Sequence, residues 1–155
     1  MVNEIKKKFL EDQFIPLVKK VTPLTPARWG KMNAQQMVEH VANFFRISTN
    51  KIKFPFVTPL EHLPKYRAFL LCEKEFRENT KAPVLPDEPF PVRYASMDES
   101  VADLERQVQF FFQYFSGDPE RKTLHPVFGE LNFEEWVQLH HKHVKHHLKQ
   151  FGVEI

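Results

Sequence analysis

The chain has 155 residues, 42% of them hydrophobic, with sixteen phenylalanines and only four glycines, which is about one domain's length and enough for a real core. A formal net charge of +2 with acids and bases interspersed gives no strong field, and the basic runs Lys6 to Lys8 and Lys19 to Lys20 are short, so no nucleic-acid partner is expected. Cys72, the single cysteine, excludes an internal disulfide and any cysteine-based zinc motif, and no stretch reads as a membrane span or a signal peptide, so the expectation is one cytoplasmic domain over residues 1–155 with no membrane partner.

From Asn3 a helical pattern carries Ile5, Phe9, Leu10, Phe14, Leu17, Val18 and Val21 inward to about residue 21, and Pro16 should kink or split it. The stretch Thr22 to Gly30 is a proline-punctuated connection that carries Trp29. Asn33, with Gln36 three residues on, caps a second helix to about residue 49, whose apolar stripe includes Met37, Val41, Phe44, Phe45 and Ile47 and has His40 on its edge. A histidine beside a buried face is more often a satisfied boundary residue than a ligand.

Residues 51–95 are proline-rich at both ends, with an extra helix expected over about 64–79 carrying Tyr66, Phe69, Leu70, Glu73 and Phe76. Such a connection is long enough to cross over the bundle and cover the mouth of a pocket. Cys72 within it reads as a small buried hydrophobe rather than a nucleophile. Ser96 and Glu99 form a capping box that opens a third main helix to about residue 116, rich in phenylalanine and stopped by Gly117 to Pro119. The segment HPVFGE, His125 to Glu130, has turn chemistry, and no strand pattern is long enough to require a sheet.

The last helix is the centre of the reading. Asn132 and Glu135 complete a capping box, Gly152 sits at the C′ position, and between them five of the eight histidines fall within residues 140–147. At about 100° per residue, Phe133, Trp136, Val137, Val144, Leu148 and Phe151 form the apolar face, with His140, His143 and His147 along its Trp136 side and His141 and His146 on the flanks. His143 and His147 are i and i+4, the spacing at which two imidazoles hold one metal ion. His40 from the second helix would complete a three-imidazole site with open positions, an arrangement of the catalytic rather than the closed structural kind. Neither Glu-x-x-His nor HExxH occurs, so di-iron and zincin chemistries are disfavoured.

With these residues in view, the chain resembles the DinB-like superfamily, including the YfiT-like metal-dependent hydrolases, most closely over His125 to Gly152 and again around His40 in MVEHV. The resemblance implies an all-α, four-helix, up-down-down-up bundle holding a divalent transition metal, zinc or nickel, through His40, His143 and His147. It also implies thiol-dependent transferase or hydrolase chemistry on a small-molecule substrate, with a low-molecular-weight thiol as co-substrate. Around the ligands, His140, Glu39, Trp136 and Phe44 are expected to line the pocket or support the imidazoles. No catalytic residue is identified. The competing reading is a non-catalytic metal-binding or stress-related bundle, and the abundance of phenylalanine favours a homodimer in either case.

Overall fold

The computed structural model describes residues 3–155, so Met1 and Val2 of the expected 1–155 domain lie outside the described residues. The fold is predominantly helical: α1 (Glu4–Lys8), a π-helical turn (Phe9–Gln13), α2 (Phe14–Val18), α3 (Ala34–Ser48), a 3-10 turn (Leu60–His62), α4 (Leu63–Leu71), α5 (Met97–Ser116) and α6 (Phe133–Gln150). A short antiparallel pair, β1 (Thr123–His125) with β2 (Gly129–Leu131), precedes α6.

The main helices begin where their caps place them. Asn33, Ser96 and Asn132 each accept a hydrogen bond from the backbone three residues on, and the glutamine or glutamate there returns one to the cap. Each such cap is worth about 1 kcal/mol, since it satisfies donors that helix geometry leaves open. The end of α6 is equally well specified: Gly152 has φ +78°, its N–H bonds to the Lys149 carbonyl, and the Val153 N–H bonds to the Leu148 carbonyl at 2.8 Å, a Schellman closure.

The first helix differs from the sequence expectation. Its middle turn widens, the Phe14 N–H reaching back to the Phe9 carbonyl, just ahead of Pro16, whose ring cannot sit against the Asp12 carbonyl of a regular helix. It ends at Val18, and i→i−3 bonds at Lys20 and Val21 tighten the exit. Ile5, read as inward, is 83% exposed, while Lys6 turns inward and joins Glu73 and Gln138.

The connection also differs. Its helix runs only from Leu63 to Leu71, not to 79. Cys72 is extended (ψ 176°), and its carbonyl, with that of Lys74, is taken by the buried Lys142 ammonium, Gln138 adding a bond to Cys72, so long-range partners replace the i+4 amides that a continuing helix needs. Glu73, expected within that helix, lies beyond its end, exposed and paired with Lys6. The two-stranded sheet was not expected: three-residue strands are too short to show alternation, and the hairpin is set by Gly129, at φ +83°, after a three-residue loop.

Packing directions follow from the hydrogen bonds. Gln35 and Glu39 bond to Ser100, Arg46 to Asp103, and Lys51 to Gln107, so α3 and α5 run side by side in the same direction. Asp103 is almost wholly buried and takes both of its bonds to Arg46 at 2.6 Å. Removing Arg46 would leave the buried Asp103 carboxylate only a longer contact to Arg106, at 3.5 Å, and the bond from Gln107, so the loss should approach the roughly 3–5 kcal/mol of a broken buried pair. On the opposite side, contacts from His40 to His147 and from Ser48 to His140 show α6 running antiparallel to α3. Phe45, Phe111, Phe115, Leu104 and Trp136 fill the space between them.

Candidate metal centre

His40 and Phe44 are one turn apart on α3, and His143 and His147 are one turn apart on α6, so two antiparallel helices present their rings to one another. His143 lies in the middle. Its Nε2 is 3.1 Å from Nε2 of His40 and 3.0 Å from Nε2 of His147, and the ligand atoms of the three residues all lie within 4.8 Å of one another. The group contains no carboxylate and no thiol.

Burial determines the protonation of this cluster. His143 and His147 are buried, and burial, reinforced by the neighbouring imidazoles, pushes both well below the ordinary histidine pKa of 6.5. Burial and, next, His146 lower His40 to about 4, although the residue as a whole is only half-buried. All three rings are therefore neutral at pH 7 and carry ligating lone pairs. The spacing also fits an ion: nitrogens about 2.05 Å from a tetrahedral zinc lie about 3.3 Å apart, close to the two short separations here.

Aromatic rings enclose the cluster. Phe44 stacks on His143 with centroids 4.1 Å apart, and Phe76, from the connection, meets the edges of His143 and His146. Trp29 lies against His146 at 5.4 Å, and the His146 ring is 5.0 Å from that of His147. His146, read from sequence as a flank residue, therefore packs between the cluster and two loops. His141 does stay on the other flank, edge-on to Phe9.

The remaining expected site residues divide. His140 is fully buried one turn before His143, stacked on Phe45 at 3.8 Å, and its Nε2 is 2.9 Å from the Ser48 hydroxyl. Trp136 is also fully buried; it stacks on His140 and donates through Nε1 to Thr123. Glu39 is one residue from His40 but has a structural job. Its carboxylate accepts from the Arg93 and Tyr94 backbone, Ser100 and Gln35, tying the end of the connection to α3. Burial pushes its pKa up, yet these bonds outweigh that and hold it below the ordinary carboxylate value. His125 accepts at Nδ1 from the Val127 and Phe128 amides, which orders the hairpin turn.

Two supporting residues escaped the sequence reading. Ser48 falls on the His40–Phe44 stripe at i+8, a spacing that marks it in retrospect. Gln150 is i+3 from His147, and its Oε1 lies 2.7 Å from His147 Nδ1.

No helix among the described residues is long and apolar enough to cross a membrane. Comparison with curated proteins and with solved structures gives no match. A protein-family model described as the DinB superfamily matches residues 16–151, a span that contains the three clustered histidines and both helices that carry them. By that match the chain belongs to the DinB superfamily.

Proposed function

We propose that His40, His143 and His147 hold a divalent transition metal, zinc or nickel, in a four-helix, up-down-down-up bundle of the YfiT-like kind. On this reading the protein works as a thiol-dependent transferase or a metal-dependent hydrolase on a small molecule. The observation that carries the reading is the convergence of three neutral Nε2 atoms from two helices with no acid or thiol among them. Imidazole suits zinc and nickel, and three ligands leave a position for a fourth. The parallel α3 and α5 and the antiparallel α6 support the bundle topology.

A metal held there supplies Lewis acidity, which lowers the pKa of a coordinated thiol or water. Phe44 and Phe76 pack against His143, and on this reading a substrate would enter from the side of the half-buried His40. His146, held neutral by burial, sits beside His147 without belonging to the converging group.

Two measurements test the proposal. Protein purified without a histidine tag is expected to carry a transition metal, and a metal-dependent reaction of a small thiol with a model electrophile is expected to turn over. Metal in fewer than about one chain in ten, with none taken up on titration, would overturn the site. Metal without turnover would leave the non-catalytic binding module as the function.

We also propose a homodimer. The support is apolar surface on and beside the connection, where Leu60 is 78% exposed and Leu71 and Tyr66 are also open. Light scattering at micromolar concentration should report twice the chain mass, and a monomer there would refute the dimer.

A further inference from the structure

Every ligating imidazole needs one ring nitrogen free of its proton, and the residue bonded to the other nitrogen decides which one that is. For His147 that residue is Gln150. Its Oε1 is 2.7 Å from His147 Nδ1, and an amide oxygen has no proton to give, so Nδ1 must carry the hydrogen and Nε2 the lone pair. That lone pair is the one 3.0 Å from His143 within the cluster.

The amide's own orientation is fixed from outside the helix. Gln150 Nε2 donates to the Trp29 carbonyl at 3.0 Å, and a flipped amide would set two oxygens against each other there. The Gln150 carbonyl accepts from the Arg28 N–H at 2.7 Å, so the turn before α3 grips this residue at both main chain and side chain. Gly30, at φ +82°, lets the turn pass close: a Cβ there would lie 2.9 Å from Gln150 Nε2. Gln150 is only 3% exposed, so little water competes for these bonds.

We propose that Gln150 is the positioning residue of the centre, holding His147 as the Nδ1–H tautomer with its Nε2 aimed at the ion, and that the Trp29–Gly30 turn is the part of the fold that aims Gln150. The proposal rests on the metal reading of His147 for its effect on affinity, but its effect on the tautomer stands apart from any metal.

Long-range proton–nitrogen spectra of the metal-free protein, together with zinc affinity by chelator competition, test both parts. In the parent chain His147 should show Nδ1 protonated. Gln150→Leu should lose that signature and bind zinc about 10–100-fold more weakly, whereas Gln150→Glu, which still offers Nδ1 an acceptor oxygen but loses the bond to the Trp29 carbonyl, should keep more of the signature and lose less affinity than Gln150→Leu. Gly30→Ala, which crowds the Gln150 amide from the loop while every residue of α6 keeps its identity, should shift both readouts in the Gln150→Leu direction.

The proposal is overturned if Gln150→Leu keeps the Nδ1–H signature with affinity within about twofold of the parent. If the parent chain bound no zinc, the metal reading would fall, while the spectra alone would still decide the tautomer.

Discussion

Alanine at His143 is expected to abolish zinc or nickel uptake, while alanine at His140, one turn earlier on the same face, leaves affinity within about tenfold of the parent. Spacing alone does not separate the two, since His143–His147 and His140–His143 are both helical neighbours. The surroundings do. His143 Nε2 sits between two other Nε2 atoms, so its loss removes the central member of the group. Loss of a supporting partner costs only on the order of 10–100-fold, and loss of one of three ligands far more. The His140 Nε2 is engaged by Ser48, whose hydroxyl donates to the Phe45 carbonyl and so accepts from the imidazole. His140→Ala should instead show in stability, by on the order of 3 kcal/mol, because it empties a fully buried site stacked on Phe45. Isothermal titration on the folded variants reads the first effect and urea unfolding the second. Full metal binding by His143→Ala, with none by His140→Ala, would reverse the assignment.

The second large effect is acid unfolding of the metal-free protein. Burial lowers His125 to about 3 and His40 and His141 to about 4, and it holds His140 well below 6.5. Below 6.5 the unfolded chain takes up protons at these histidines and the folded chain does not, so stability is full above about pH 7 and falls as the pH drops toward the folded values. Each such histidine adds a slope of about 1.4 kcal/mol per pH unit. Several together outrun a typical total stability of about 5–15 kcal/mol within two or three units. Urea midpoints should therefore be flat from about pH 8 to 7 and drop steeply toward pH 5. His125→Asn, whose side-chain oxygen can still accept from the Val127 and Phe128 amides, should make the drop shallower by one histidine. Midpoints unchanged between about pH 7 and pH 5 would contradict the burial argument.

What was legible in the sequence was whatever local chemistry specifies. Asn33, Ser96, Asn132 and Gly152 each announce a helix end through a bond made within a few residues, and α3, α5 and α6 lie where those signals put them. The convergence of His40, His143 and His147 was legible because two helical spacings and a family resemblance pointed to the same three rings. Illegible features depended on distant partners. Residues 72–79 have apolar spacing suited to a helix, but Lys142, about seventy positions away, takes the carbonyls a helix would use. Glu39 looks like a helper for His40 until its carboxylate is seen to accept from Arg93, Tyr94 and Ser100. The Trp29 carbonyl that orients Gln150 belongs to the backbone, and no side-chain pattern could have announced it.

The contact between His40 and His143 spans 103 positions of the chain. An ion bound across it would close one of the longest loops in the molecule, and loop closure of that size carries a large entropic cost in the unfolded chain. Coordination would therefore be coupled to topology: the three rings meet only when α3 and α6 are docked, and a fluctuation that separates those helices would release a bound ion at the same moment. Occupancy of the centre would then report the closure of the whole bundle, and the metal would slow its opening as a cross-link does.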